Sequence, residues 1–367
     1  MNKIKKLAEE RKQKRREKVL NSTPFVSHID SVTQGSFIPD LTIKPNPKKY
    51  VVKKKGKQLK ILLLSVWYPL TMSKYFLRAF QRRSDVEIRT IGPYTASTIP
   101  WQGGMQLLPK YAECPTYPTY PVKEMFSWTQ AQNLIEDWVP DLVITIGDRI
   151  WFDKRPDVKC PVIHVATDPH VVNYDYARTV CDKFYSMQFF HKKADDIWLP
   201  YAFDPSVHFP TGVEKTSDCV LVGVDYNNRK ELIGKLRQRG TSVIFKNGPV
   251  FDEYRELNNQ AKIGLTYSCL NDIGARVFEL MAMNLTPVID RVSDLPLLFE
   301  ENVHYLGFSS VQEGVEKVEW ALANADKAKK IADNAYELVW KMNEFGYPQH
   351  SYDARVDRIL REVRLVK

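Results

Sequence analysis

At 367 residues, 44% of them apolar and 12% aromatic, the chain is long enough for two domains of about 150 residues, each with a sizeable core. Five cysteines with no CxxC pair argue against a disulfide framework or a zinc site and for a reducing compartment. The formal charge of +9 is unevenly placed, since residues 1–20 carry nine Lys or Arg against three Glu and residues 41–60 carry eight Lys against no acid. Removing these 17 bases and three acids from totals of 53 and 44 leaves 36 bases against 41 acids, so a basic extension precedes an acidic body. No stretch approaches the roughly 20 apolar residues of a membrane span, and the charged start is unlike a signal peptide, so a cytoplasmic protein is expected.

Residues 1–20 are good helix formers with a thin apolar stripe at Ile4, Leu7, Ala8, Val19 and Leu20, and residues 21–58 read as a linker rich in Ser, Thr, Pro and Lys. Two readings of this arm stay open: solubility and flexibility, or attraction to a polyanion such as nucleic acid. The body opens with Lys60-Ile-Leu-Leu-Leu-Ser-Val66, a continuous apolar run of the kind buried on both faces of a parallel sheet. A helix follows over 73–83, a strand over 86–91 and, after a Pro- and Tyr-rich loop, a helix over 128–138. Buried strands at 141–146 and 161–166 end at Gly147-Asp148 and Thr167-Asp168. A second series runs through strands at 219–223, 243–246, 263–267 and 287–290. Helices alternate with them at 229–239, 251–260 and from Gly274, then across 311–344 and 352–366. This alternation predicts an α/β chain of two doubly wound, Rossmann-like domains facing a central cleft, with ligands at the carboxyl ends of the strands. The expected boundaries are 1–58 for the arm, 59–205 for the first domain, 206–345 for the second, and 346–367 for a helix packing back on the body.

The turn Val222-Gly223-Val-Asp-Tyr-Asn-Asn-Arg229-Lys230 joins a strand to a helix. Its glycine allows close backbone approach, and the helix N-terminus offers free N–H groups to an anion. Arg229 and Lys230 stand where the helix dipole would prefer acids, which suits an incoming phosphate; an ordinary turn with surface charges is the competing reading. In Asn271-Asp-Ile-Gly-Ala-Arg-Val-Phe-Glu-Leu-Met-Ala-Met-Asn284, Arg276 and Glu279 lie at i and i+3 on one side of a buried helix. A carboxylate there can accept two ribose hydroxyls and a guanidinium can clamp a diphosphate; a plain intrahelical salt bridge would need no ligand. His170 and Asp168, at a strand end, are candidates for acceptor binding or general-base work, or else a buried histidine and a capping aspartate. Asp148 is a weaker candidate. Trp101, Tyr117 and Tyr120 belong to an aromatic loop suited to stacking on an acceptor or to packing as a lid.

Taken in order, Gly223, Arg229-Lys230, Gly274-Ala-Arg-Val-Phe-Glu279 and Pro287-Val-Ile resemble the donor half of a GT-B glycosyltransferase, most closely the spore-maturation (CgeB-like) and group 1 families. Ala166-Thr-Asp-Pro-His170 and Trp198-Leu-Pro-Tyr-Ala-Phe-Asp204 resemble the same families' stretch ahead of that half, so the likeness covers residues 59–367. It implies GT-B architecture, with the first domain binding the acceptor and the second a nucleotide sugar, a UDP-sugar being favoured. It further implies that Glu279 binds the ribose and that Arg229 with Lys230 or Arg276 neutralises the diphosphate in place of a metal, and it favours retention of configuration at the sugar without deciding between retention and inversion. The chain departs from the group 1 pattern at Asn271, where many members have a glutamate, and at Asn284, where they have glycine.

Among functions, a glycosyltransferase acting on 5-hydroxymethylpyrimidine in DNA is favoured, because bacteriophage DNA glycosyltransferases share the fold class and the basic arm suits a polyanion. A protein, glycan or cell-surface acceptor is the alternative, and a non-catalytic nucleic-acid-binding protein on a decayed scaffold is a reading from another class. A sugar epimerase of the same architecture would have no use for the arm.

Overall fold

The computed structural model describes residues 58–68, 70–93, 98–99, 105–106, 118–122, 128–147, 154–268 and 270–366. The arm up to residue 57, Trp101, Tyr117 and Asp148 lie outside the described residues. The first half holds β1 (Leu59–Leu64), α1 (Ser73–Gln81), β2 (Val86–Pro93), the short antiparallel pair β3 (Thr98–Ile99) and β4 (Met105–Gln106), β5 (Tyr120–Val122) and α2 (Trp128–Ile135). It continues with β6 (Leu142–Ile146), β7 (Val162–Ala166), α3 (Asp175–Thr179), β8 (Lys183–Ser186) and β9 (Ile197–Trp198). Seven of these strands form one sheet in the order β5-β2-β1-β6-β7-β8-β9, every pairing parallel. Ile61, Leu62, Leu63 and Leu64 of β1 have no exposed surface, as a strand covered on both faces requires.

The second half contains β10 (Ser217–Val222), α4 (Asn227–Gln238), β11 (Val243–Lys246), α5 (Phe251–Asn259), β12 (Ala261–Thr266), α6 (Ala275–Ala282), β13 (Thr286–Asp290) and β14 (Leu306–Phe308). Its five strands are again parallel, in the order β11-β10-β12-β13-β14. Helices α7 (Val311–Ala323), α8 (Ala325–Trp340) and α9 (Tyr352–Glu362) complete the chain. Two doubly wound α/β halves of this kind make the GT-B architecture. The helical run read over 311–344 is two helices, broken at Asn324, whose amide donates back to the Trp320 carbonyl at 2.9 Å. The three-residue β14 was not expected from the sequence, since LGF is too short to show any periodicity.

Helix α6 ends in a Schellman motif: Asn284 has φ +58°, its N–H donates to the Met281 carbonyl, and the Leu285 N–H donates to the Leu280 carbonyl. Asn271 is also left-handed, with φ +57°, and its amide donates to Ser293 Oγ at 3.1 Å. Both departures from the group 1 pattern therefore fall where asparagine is among the residues that tolerate positive φ.

Helix α9, capped by Ser351 Oγ on the Ala354 N–H, packs on α1 in the first half. The seam is ionic, with its carboxylates and Arg83 buried and Arg82 at its rim. Arg82 holds Asp353 in a two-pronged pair at 2.8 and 2.7 Å and reaches Asp204 at 2.9 Å, while Arg83 bonds Asp85, Asp357 and the Tyr347 hydroxyl at 2.9–3.0 Å. Burial alone would raise the Asp204 carboxyl, but Arg82 and Arg78, with two bonds from Ser206, hold it below the usual aspartate range.

Candidate active site between the two sheets

Both sheets aim the carboxyl ends of their strands at one cleft of about 670 Å³. Ser65, Gly147 and Asp168 reach it from the ends of β1, β6 and β7, and Gly223, Asn247 and Asp272 from the ends of β10, β11 and β12. Arg229, Arg276, Glu279 and His170 also line it. The cleft thus gathers six of the residues singled out in the sequence.

The donor side is built on Gly223. A Cβ there would stand 2.3 Å from Arg276 Nη2 and 3.3 Å from Arg229 Nη1, so only glycine leaves room for both guanidinium groups over the β10 turn. Arg229, in the first turn of α4, is buried; Nε donates to the Tyr267 carbonyl at 2.7 Å and Nη1 to that of Val224 at 2.8 Å. These bonds fix the side chain without neutralising it. Burial, and then the neighbouring Arg276, push its pKa down to about 10. Arg276 Nε is buried with no hydrogen-bond partner. Among the described residues neither guanidinium takes part in an ion pair. Asp290 and Asp272 act on Arg229 only at a distance, so two cations stand side by side in the cleft, one of them buried, in a place suited to an anion.

Arg276 and Glu279 therefore do not form the intrahelical salt bridge that their spacing allows. Glu279 is 7% exposed; its Oε2 accepts from the Tyr254 hydroxyl at 2.7 Å, and His208 Nε2 lies 3.7 Å from Oε1. On the opposite wall Asp168 accepts from Thr167 Oγ1 at 2.9 Å, and the His170 ring sits 5.6 Å from that of His191, its Nδ1 without a hydrogen-bond partner.

Two candidates lie elsewhere. Lys230 does not line the cleft: one position on from Arg229 the helix turns by about 100°, and its exposed amine pairs with Asp225 at 2.8 Å. Tyr120 is on the edge strand β5, where its hydroxyl accepts from Arg89 at 2.7 Å, away from the cleft. One cleft cation escaped the sequence reading. Lys74, 3% exposed on α1, has its amine 4.5 Å from the Tyr75 ring and 5.2 Å from that of Phe251 in the other half. A lysine directly ahead of the largely apolar stretch Tyr75-Phe-Leu-Arg-Ala-Phe80 was the available signal. Among the described residues no group of three or more His, Cys, Asp or Glu is arranged to hold a metal ion.

Residues 212–361 match the family model described as glycosyl transferase-like. The second half carries a glycosyl transferase-like domain. Solved structures extend the likeness to both halves. HepE from Anabaena, in complex with UDP-glucose, is 11% identical with a TM-score of 0.55, covering 84% of this chain and 100% of its own. Sucrose-phosphate synthase from Thermosynechococcus elongatus is 11% identical with a TM-score of 0.54 and the same coverage. A UDP-N-acetylglucosamine 2-epimerase is 11% identical, with a TM-score of 0.51, covering 84% of this chain and 98% of its own. Identity this low speaks for the GT-B fold alone, and the family model gives the enzyme class as glycosyltransferase. A comparison with curated proteins returns no match. The glycine under the two guanidinium groups is open to a direct check. Gly223→Ala meets only the far ends of two flexible side chains, so the variant should fold, as a thermal melt will record, yet bind UDP about tenfold more weakly by calorimetry.

Proposed function

We propose that the chain moves a sugar from a UDP-sugar to a hydroxyl acceptor, with Arg229 and Arg276 on the diphosphate and Glu279 on the ribose. The observation that carries this reading is the pair of guanidinium groups over Gly223 that lacks a carboxylate of its own. In the transfer, the bond from the anomeric carbon to the diphosphate oxygen breaks and its electron pair leaves with UDP. An acceptor oxygen bonds to the same carbon and gives up its proton, for which His170 or Asp168 is the proposed base. The anomeric carbon becomes oxocarbenium-like as negative charge gathers on the leaving diphosphate, so two fixed cations there lower the barrier directly. The pair supplies the charge that a divalent ion would otherwise bring, so no metal is required on this reading. UDP as the nucleotide is supported by the UDP-glucose complex of HepE. The test offers a panel of UDP- and GDP-sugars together with hydroxymethylated DNA, protein and glycan acceptors, and follows nucleoside diphosphate release with and without EDTA. UDP release that persists in EDTA and falls in Glu279→Ala at donor concentrations below KM is the expected result; no release from any donor would sink the proposal.

For the acceptor we propose 5-hydroxymethylpyrimidine in DNA, supported by the segregation of 17 basic residues into the first 60 positions ahead of an acidic body. Lys and Arg contacts to phosphate give affinity that falls steeply with salt. Transfer to hydroxymethylated DNA should therefore drop by about tenfold or more between 50 and 200 mM salt, and should weaken when residues 1–57 are removed. Transfer insensitive to both, or found only on protein or glycan, would point to the alternative acceptors.

A further inference from the structure

The Glu279 carboxylate is enclosed by three rings that come from three parts of the chain. Tyr254 belongs to α5, Tyr75 to α1 in the first half, and His208 to the segment linking the two sheets. The His208 ring lies 5.7 Å from Tyr254 at 82° and 5.4 Å from Tyr75 at 66°. His208 has no exposed surface, and its Nδ1 accepts the Asp204 N–H at 3.0 Å. Burial pushes its pKa down, against the raising influence of Glu279 and Asp204, so the ring is neutral and its one proton is on Nε2. That N–H faces Glu279 Oε1 at 3.7 Å and the Tyr75 hydroxyl at 3.4 Å. Burial also raises the Tyr254 phenol well above its ordinary value, so it stays protonated and donates to Oε2.

A carboxylate on a free rotor would present a changing pair of lone pairs to a ligand. Here Oε2 is held by the Tyr254 hydroxyl and Oε1 has the His208 ring 3.7 Å away, while the residue as a whole lines the cleft. We infer that Tyr254 and His208 are positioning residues that hold Glu279 in the one orientation able to receive the two ribose hydroxyls of a nucleoside diphosphate. This rests on the ribose role given to Glu279 above. His208 stands behind the carboxylate and acts through it, while Tyr254 and Tyr75 also line the cleft wall beside it.

The experiment titrates the full chain with UDP and with 2′,3′-dideoxy-UDP by calorimetry, in wild type, Tyr254→Phe, His208→Leu and His208→Gln. Wild type should prefer UDP by at least about tenfold. Tyr254→Phe and His208→Leu should weaken UDP by about tenfold while leaving the dideoxy compound within about threefold, which collapses the preference. His208→Gln, which keeps an N–H donor of similar reach, should restore it. In steady state the same two variants should raise KM for the UDP-sugar and leave kcat within about threefold, because ribose contacts are made equally in the ground and transition states. A wild-type preference preserved in Tyr254→Phe overturns the inference even where His208→Leu fails to fold. A wild type that binds UDP and its dideoxy form equally overturns the ribose role of Glu279 itself, and the positioning role with it.

Discussion

Arg276→Met should lower kcat/KM for the UDP-sugar by about 10² to 10³, the cost of losing one fixed cation at a developing anion. Its thermal stability should be unchanged or higher than wild type, which separates this loss from unfolding. The reasoning is electrostatic. Burial and Arg276 together lower the Arg229 pKa to about 10, so folding disfavours the charged guanidinium, and the penalty is fully present at every pH below that value. Removing Arg276 relieves the repulsion, breaks no ion pair among the described residues, and takes away a buried Nε that has no partner. Arg229→Met should cost as much activity but also some stability, since the Tyr267 and Val224 carbonyls lose their donors. The double variant should be little worse than either single, because both groups serve one diphosphate. Conversely, saturating UDP should raise the melting temperature of wild type more than that of Arg276→Met. An Arg276→Met enzyme within threefold of wild-type kcat/KM would falsify the assignment.

The second large effect falls on the seam between α1 and α9. Arg83→Met leaves Asp85 and Asp357, 6% and 2% exposed, without their shared guanidinium, and should destabilise the fold by about 3–5 kcal/mol in urea or guanidinium titrations. The same seam sets an acid limit. Asp204 has a folded pKa below its unfolded value, so its contribution is present above the ordinary aspartate range and is lost as pH falls through the folded value. Wild type should accordingly lose stability below about pH 4, and Asp204→Asn should be less stable at neutral pH with a shallower acid dependence. A neutral-pH stability for Arg83→Met within 1 kcal/mol of wild type would show that the seam is solvated in solution.

Much of the site was legible because of how parallel sheets are made. Strands covered on both faces appear as unbroken apolar runs, and the residues just past their ends must face the cleft, which is why Gly223, Asp168 and His170 were found from local pattern. Asn284 was legible for a similar reason, since a helix followed by asparagine announces a left-handed cap. Short edge elements such as β9 and β14 were not, because two or three residues carry no period and depend on a neighbouring strand for their hydrogen bonds. Lys230 looked equivalent to Arg229, yet one residue of helical rotation sends it to solvent and to Asp225.

What the sequence alone determined is therefore the alternation of strands and helices, the two-half organisation, the charge asymmetry, and the set of residues at strand ends. All of these follow from interactions within a few positions of one another. The tertiary structure decided how those residues are partnered. It separated Arg276 from Glu279, set Arg276 beside Arg229, brought Lys74 in from the other half, and closed Tyr254, His208 and Tyr75 around one carboxylate. Tyr254 is 25 positions from Glu279, and His208 is 133 from Tyr75. Contacts over such separations leave no periodic trace in a single chain; they exist only once both sheets have packed and a buried polar group must be satisfied by whatever donor the packing brings near.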